Sequence, residues 1–219
     1  MGKTTILTPK QLAFIDALCA DKFITKTFYF TGGTALAEVY LKHRKSEDLD
    51  FFSANTFDPQ RILATLTPWS RKLGVSIRTN FIDPTHMYFL QYPDGSTLKV
   101  DFASYPYPSL AKQSLYNKTL RVDSLLDIAV NKLVTLTQRS DVKDFVDLYY
   151  LLRKFTFWEL RDGAVFKFNI KFEPYSVASS FMAVEDFDYL PRMVKPLALA
   201  QLKAFFQKQA KKLGKTAIE

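Results

Sequence analysis

The sequence predicts an α+β fold, in which a mixed β-sheet flanked by helices is followed by a mainly helical C-terminal part. As far as about residue 120, short apolar and aromatic runs typical of strands alternate with segments of helical spacing. From Val122 onward, apolar residues instead recur with a period of 3.6. We therefore expect an α/β core at residues 1–120 and a helical region at residues 121–219.

The first part contains three predicted helices and five predicted strands. Thr8 and Pro9 are typical of a helix start, and Asp58 and Pro59 repeat that pattern. The helices are predicted at residues 9–21, in "TALAEVYLKHR" and in "DPQRILATLTPWSRKLG". The strands are predicted at residues 27–31, in "DLDFFS", and at residues 75–82, 87–92 and 97–105. The turn signal "PDGS" joins the last two strands, and His86 is predicted to lie in a loop.

The second part begins with two helices of strong periodicity, "SLLDIAVNKLVTLTQR" and "SDVKDFVDLYYLLRKF", separated by a Ser-Asp break. Residues 155–219 are less regular, because three prolines divide them into short pieces. A last helix is predicted at about residues 196–213, with lysines on a solvated face.

Composition limits the class of protein. The single cysteine, Cys19, excludes an intrachain disulfide and a metal site built from several cysteines. No segment approaches the roughly 18 consecutive apolar residues of a membrane-spanning helix, and residues 1–10 lack the apolar core of a signal peptide. We therefore expect a cytoplasmic protein with no membrane partner.

The chain is basic, with a formal net charge of +8 and a pI near 9.4. Clustered cations gain free energy by neutralising phosphates, so this charge favours nucleotides or nucleic acid as partners. A basic surface that serves only solubility accounts for the charge equally well.

Asp48 and Asp50 form the first candidate site. Residues i and i+2 of a strand face the same side, so the two carboxylates are expected to project together while Leu49 points into the core. Adjacent carboxylates repel each other, and a divalent metal between them relieves that repulsion. The alternative is a pair of aspartates at the solvent-facing end of a strand.

A third carboxylate lies in "TLKVDFAS", where Lys99 and Asp101 alternate with apolar residues. We expect Asp101 to be an isolated carboxylate on the polar side of this strand. If the strand lies beside the Asp48 strand, three carboxylates converge. Such a set suits two Mg²⁺ ions, which would activate an attacking oxygen and stabilise a leaving pyrophosphate.

Gly32 and Gly33 stand between a predicted strand and a predicted helix. Without side chains there, backbone N–H groups at a helix N-terminus can approach phosphates closely. Thr34 is expected either to cap this helix or to contact a phosphate. A plain tight turn is the alternative interpretation.

Five motifs in fixed order resemble the AbiEii/AbiGii nucleotidyltransferase toxin family of the DNA polymerase β-like nucleotidyltransferase superfamily. They are "GGTAL", "HRKSEDLDFF", "KVDF", a helix with Lys132, and "KDFVDLYYLL", and they extend from about residue 28 to about residue 155. The resemblance implies a polymerase β-like core whose active-site cleft is completed by the helical region.

The resemblance also implies roles for individual residues. Gly32, Gly33 and Thr34 would contact the triphosphate of a bound nucleotide. Asp48, Asp50 and Asp101 would be catalytic residues and would bind metal. Arg44 and Ser46 would shape the nucleotide pocket.

Two further catalytic residues are implied in the helical region. Lys132 would neutralise triphosphate charge, and Asp144 would lie near the nucleotide, with Lys143 and Asp147 as neighbours. The alternative is that Asp144 and Asp147 complement the dipole at the start of their helix.

Together these residues predict a Mg²⁺-dependent nucleotidyltransferase that moves a nucleoside monophosphate from an NTP to an acceptor and releases pyrophosphate. The resemblance implies a bacterial toxin with a cognate antitoxin, and tRNA or another RNA would suit the basic charge as acceptor. A catalytically degenerate nucleotide-binding or RNA-binding module is the alternative. Simple nucleic-acid binding leaves three strand aspartates unexplained.

Overall fold

The computed structural model describes residues 5–216, and side chains as far as residue 215. The described residues divide into two compact units. The first comprises those of Met1–Pro108 together with Lys112–Ser124, and the second comprises Ser109–Ala111 with those of Leu125–Glu219.

A seven-stranded mixed sheet forms the first unit, with the strand order β3-β4-β5-β2-β1-β7-β6. The strands are β1 (Tyr29–Thr31), β2 (Leu49–Ser53), β3 (Ser76–Ile82), β4 (Thr85–Gln91), β5 (Thr97–Ser104), β6 (Ser114–Tyr116) and β7 (Leu120–Val122). The central strand β2 pairs antiparallel to β1 and parallel to β5. The predicted α+β class is confirmed.

Strand β2 shows why this sequence forms a two-sided sheet. Leu49 and Phe51 are fully buried, whereas Asp50 and Phe52 on the opposite face are partly exposed. Phe51 stacks between Phe30 of β1 and Phe102 of β5, with ring centroids 5.3 and 5.1 Å apart. The apolar face therefore anchors the strands, and the register it sets determines where the polar face presents its carboxylates.

The first unit contains helices α1 (Pro9–Ala20), α2 (Lys22–Thr27), α3 (Gly32–Ala35, continuing as a π-helix over Leu36–Leu41) and α4 (Pro59–Leu73). Thr8 and Gln11 form a capping box at α1, and Asp58 caps α4, as the sequence predicted for both starts. The helix predicted in "TALAEVYLKHR" ends earlier than expected, because Lys42 adopts φ 50° and turns the chain before His43 and Arg44.

Several boundaries differ from the sequence prediction. Helix α2 was not predicted and takes Thr27 from the strand assigned to residues 27–31. Strands β6 and β7 were missed because each has three residues and their turn uses Asn117 and Lys118 at positive φ instead of glycine. The loop predicted for His86 is wrong: His86 lies in β4, where its ring packs against Phe81.

The second unit is helical, as predicted. Its helices are α5 (Leu125–Gln138), α6 (Val142–Leu151), α7 (Phe157–Phe168), α8 (Pro174–Met182) and α9 (Leu199–Thr216). The stretch from residue 155 is more regular than expected, since Thr156 and Glu159 form a capping box for α7 and Pro174 is the first residue of α8. Within residues 5–216, no helix is both long and apolar enough to cross a membrane.

Candidate active site

The parallel pairing of β2 with β5 brings the predicted acidic strands side by side. Asp50 lies directly opposite Asp101 in this register, and Leu49 lies opposite Val100. Asp48 immediately precedes β2, and both Asp48 and Asp50 are half-buried. The two strands that carry the predicted carboxylates therefore lie side by side, which was the condition for the carboxylates to converge.

The Gly32 turn packs against the same carboxylates. Gly32 has φ 72°, and a Cβ atom at this position would overlap Oδ2 of Asp50 and lie only 2.8 Å from its Cγ. Residue 32 must therefore lack a side chain for two reasons: its backbone is left-handed, and the Asp50 carboxylate occupies the space. The glycine pair and the DxD motif form one local structure.

Gly33 brings the loop before β2 to the same turn. A Cβ atom at Gly33 would lie 2.6 Å from Nη2 of Arg44 and 3.3 Å from Oγ of Ser46. Arg44 is almost fully buried, and its Nη1 donates to the Lys45 carbonyl. Arg44 and Ser46, predicted to shape the nucleotide pocket, thus lie directly beside the glycine turn.

Thr34 links the helix to the aspartates through a hydrogen bond. Its side chain is only 1% exposed, and its hydroxyl donates to the backbone carbonyl of Asp48. Thr34 does not cap the helix, because the N-cap position belongs to Thr31. The hydroxyl proton of Thr34 is already engaged, so its evident effect is to fix the backbone of the DxD motif.

Asp101 is not the isolated carboxylate that the alternation suggested. Nζ of Lys99 lies 2.6 Å from its Oδ2, because residues 99 and 101 share one face of β5. The other carboxylate oxygen, Oδ1, is buried and has no hydrogen-bond partner among the described residues. One carboxylate oxygen of Asp101 therefore contacts Lys99, and the other can accept another ligand or a proton.

The electrostatics of this pair follow from its surroundings. Burial raises the pKa of Asp101 above its ordinary value against the lowering effect of Lys99, and the charge of Asp48 adds to the rise. Burial opposes the charged ammonium of Lys99, yet its hydrogen bond to Asp101 and the charges of the DxD aspartates raise the pKa of Lys99. Lys99 is therefore firmly cationic while Asp101 is a stronger base than a free aspartate.

Carboxylate oxygens are the type of ligand that hard divalent cations such as Mg²⁺ prefer. Mg²⁺ in nucleotide enzymes is commonly bound by one or two carboxylates plus substrate phosphates. Asp48 and Asp50 supply such oxygens beside a turn suited to phosphate. Within residues 5–216, however, no three His, Cys, Asp or Glu side chains are arranged to hold a metal ion by themselves.

A separate ionic cluster lies in the second unit. Nζ of Lys132 is 2.6 Å from Oδ1 of Asp144 and 2.7 Å from Oδ2 of Asp147, and both aspartates are fully buried. Nε of Arg139 is 2.9 Å from the other oxygen of Asp144. Lys132 is 8% exposed. Two cations and two carboxylates thus balance each other between α5 and α6.

The two neighbouring cations determine the direction in which the pKa of Asp144 is shifted. Burial by itself would raise its pKa, but the charge of Lys132 and the hydrogen bonds from Arg139 and Lys132 outweigh burial and lower the pKa of Asp144. Lys143, predicted as a neighbour, points elsewhere: its Nζ lies 3.3 Å from Asp141 at the start of α6.

Three residues near the acidic site were not predicted as site residues. Lys99 had a detectable signal, since it has the same i, i+2 relation to Asp101 that Asp48 has to Asp50. Gln11 is buried and donates from Nε2 to the carbonyls of Ser46 (2.8 Å) and Glu47 (2.9 Å). No local pattern marks such a long-range bond.

Asp123 is the third unpredicted residue. It follows β7, and its Oδ2 accepts a hydrogen bond of 2.9 Å from the hydroxyl of Thr31, the residue before Gly32. Its backbone carbonyl accepts a bond of 2.7 Å from the Tyr40 hydroxyl. Asp123 therefore fixes the entry to the glycine turn from the neighbouring strand.

Residues 16–216 match the family model described as "Nucleotidyl transferase AbiEii toxin, Type IV TA system". The chain belongs to this family. The family that the ordered motifs predicted is thereby confirmed. The matched range includes both the acidic site on the sheet and the ionic cluster between α5 and α6.

An uncharacterized protein of Aquifex aeolicus (strain VF5), aq_aa25, is 35% identical over 142 residues. That match covers 64% of this AbiEii-family chain and 64% of the relative's length.

Solved structures share the fold at lower identity. JHP933 from Helicobacter pylori is similar with a TM-score of 0.55 at 20% identity, over 96% of each chain. MenT4, a nucleotidyltransferase toxin from Mycobacterium tuberculosis H37Rv, is similar with a TM-score of 0.58 at 19% identity, over 92% of this chain and 82% of that one. The predicted nucleotidyltransferase core is thereby confirmed as a fold.

Proposed function

We propose that this AbiEii-family protein transfers a nucleoside monophosphate from an NTP to an acceptor hydroxyl with Mg²⁺ as cofactor. The observation that carries the proposal is the packing of Gly32 against Asp50, which itself lies opposite Asp101. A phosphate-binding turn and three carboxylates thereby belong to one local structure. Phosphoryl-group transfer requires this combination of anion binding and charge neutralisation.

The glycine turn is assigned to the β- and γ-phosphates of the NTP. Gly32 and Gly33 contribute no side chains to this turn at the start of α3, and the guanidinium of Arg44 beside Gly33 adds positive charge. Thr34 is assigned to this site as the residue that fixes the turn to Asp48, and Ser46 as part of its wall.

Asp48 and Asp50 are assigned to metal binding. A bound Mg²⁺ supplies neutralisation of the phosphate charge that develops as pyrophosphate departs. Among the residues of this chain, the two half-buried carboxylates would hold the ion beside the glycine turn. Their mutual repulsion gives the site a preference for a cation.

Asp101 is assigned to proton transfer. In the proposed step the acceptor oxygen bonds to the α-phosphorus, the bond from that phosphorus to the bridging oxygen breaks, and pyrophosphate leaves. The hydroxyl proton passes to Oδ1 of Asp101, the oxygen that Lys99 does not engage. Burial raises the pKa of Asp101, which makes it a better base.

In the second unit, Lys132 and Asp144 are assigned a supporting role in the same reaction. Lys132 was expected to neutralise the triphosphate directly, but Asp144 and Asp147 already balance its charge. We assign this cluster to fixing α5 and α6, the helices that carry the family's later motifs. The predicted catalytic roles of both residues thus become positioning roles.

RNA, including tRNA, is the acceptor class that the charge of the chain favours. The net charge is +8, and α9 carries exposed lysines at 208 and 211. As a member of a toxin family, the protein is proposed to act in the cytoplasm and to have a cognate antitoxin protein as partner.

The reaction is tested by incubating the protein with α-labelled NTPs, Mg²⁺ and total RNA. Wild type is expected to transfer label, whereas Asp50→Asn is expected to lose at least roughly a hundredfold in rate, as electrostatic catalysis commonly does on removal of one group. Asp94→Asn, in an exposed carboxylate paired with Lys10, is the matched control and should retain the rate.

Two outcomes would contradict the proposal. Equal transfer by wild type and Asp50→Asn would remove the DxD motif from the mechanism. Binding of NTP and Mg²⁺ without transfer to any acceptor would identify a nucleotide-binding module instead. RNA affinity that does not fall with rising salt would separately exclude RNA as the acceptor.

A further inference from the structure

The ammonium group of Lys99 lies within the acidic site. Its Nζ lies 2.6 Å from Oδ2 of Asp101, on the strand paired directly with the DxD strand. The Lys99 side chain is about one-third exposed and that of Asp101 is 13% exposed, so the pair is largely screened from water. Partial burial makes such a contact stronger than an open surface pair.

The contact removes one ligand from a two-metal arrangement. Two ions about 3.5–4 Å apart need carboxylate oxygens that both can share. Oδ2 of Asp101 is already engaged by an ammonium, and Oδ1 alone remains open. In agreement, no group of three acidic, histidine or cysteine side chains in the described part of the chain is set to enclose a metal.

The fixed charges of the acidic site also disfavour a second divalent ion. The Lys99 ammonium is a fixed positive charge beside Asp101, and the Arg44 guanidinium beside Gly33 is another near the glycine turn. A second divalent ion at Asp101 would be repelled by the Lys99 ammonium, at a Coulomb cost that grows as the local dielectric falls.

We propose that Lys99 takes the place of the second divalent ion, so that the site binds one Mg²⁺ rather than two. Resting on the proposed nucleotidyl transfer, this inference assigns the ion to Asp48 and Asp50 and makes Lys99 a positioning residue for Asp101. By holding Oδ2, Lys99 directs Oδ1 toward its role as proton acceptor. The expectation of two ions from the sequence is revised accordingly.

The number of bound ions tests this directly. Mn²⁺, which is visible by electron paramagnetic resonance, is titrated into the full chain saturated with an α,β-methylene NTP analogue that cannot be transferred. Wild type is expected to bind one Mn²⁺ per chain. Lys99→Met, which keeps the length of the side chain but removes its charge, is expected to bind two, because Oδ2 of Asp101 becomes available.

Two control variants keep the test independent of folding. Lys99→Arg preserves the positive charge and should bind one Mn²⁺. Lys10→Met removes a lysine from another lysine–aspartate pair, with Asp94, and should also bind one. Binding of the NTP analogue by each variant verifies that its site is folded.

Two Mn²⁺ ions in wild type, or one in Lys99→Met that still binds the analogue, would overturn the role of Lys99 and leave the proposed transfer intact. Absence of any analogue and Mn²⁺ binding in wild type would overturn the proposed function as well. An unchanged rate of label transfer in Lys99→Met would also contradict the positioning of Asp101.

Discussion

The carboxylate of Asp50 lies against the α-carbon of Gly32, so closely that a methyl group at residue 32 would overlap Oδ2 of Asp50. These residues are 18 positions apart, at the two ends of the segment that forms α3, its π-helical continuation and the loop before β2. The contact means that the glycine turn and the DxD motif cannot be changed independently. It also supplies a substitution with a specific expected effect.

Gly32→Ala should abolish most transfer by displacing Asp50. Both the positive φ and the overlap act at this position, so we expect a loss of at least roughly tenfold in rate together with about 1 kcal/mol or more of stability. Steady-state label transfer and urea unfolding measure the two effects.

Gly95→Ala is the matched control for that substitution. Gly95 has φ 83° and no atom within 4 Å of the position of a Cβ, so it shares the backbone strain without the contact. A similar loss of stability with unchanged transfer is expected. Equal loss of transfer in both variants would show that strain, and not the contact with Asp50, is responsible.

Thr34→Val should weaken the site through the backbone of Asp48. Valine has nearly the shape of threonine but cannot donate to the Asp48 carbonyl, so a partly buried acceptor loses its partner. The expected cost is about 1–3 kcal/mol in unfolding free energy, with weaker NTP binding measured by calorimetry. Thr34→Ser keeps the hydroxyl and should retain NTP affinity; loss of affinity in the serine variant would contradict this explanation.

The buried pair of Asp127 and Lys167 should dominate the stability of the second unit. Oδ1 of Asp127 lies 2.8 Å from Nζ of Lys167, and its carboxylate also accepts from the backbone N–H groups of Leu110 and Ala111. Asp127→Ala or Lys167→Met alone should cost about 3–5 kcal/mol, because each removes one partner of a buried ion pair.

The double variant Asp127→Ala/Lys167→Met separates pairing from packing. Since no buried charge remains, it should be less destabilised than the sum of the single variants when unfolding is followed in urea. Strictly additive losses would show that the two side chains act independently.

Asp144 should contribute a pH-dependent part of stability. Because its pKa is lowered in the folded protein, its contribution is present above the ordinary aspartate pKa of about 4 and is lost as pH falls through the lower folded value. The difference in unfolding free energy between wild type and Asp144→Asn should therefore be largest above about pH 5 and shrink below about pH 4.

Thermal unfolding between pH 3 and pH 7 measures this difference. Asp162→Asn, which changes a largely exposed aspartate, is the control and should show little pH-dependent difference from wild type. A difference for Asp144→Asn that stays constant over this range would exclude its ion pairs as the cause.

Much of the fold could be predicted from local sequence patterns. The capped starts of α1 and α4, the alternation in β2 and β5, and the 3.6 period of α5 and α6 each depend on neighbours within one element. Helix α2 and strands β6 and β7 were missed because they are short, so that periodicity has few residues in which to appear.

The sequence by itself determined which chemical groups the protein carries and their order: the glycine pair, the DxD motif, Asp101, and the later lysine and aspartate. Only the tertiary structure decided how those groups are paired. Strand register set Asp50 opposite Asp101, while packing of α5 on α6 neutralised Lys132 with two aspartates. Such contacts join residues distant in the chain, and electrostatic partners depend on spatial distance, which no local sequence pattern encodes.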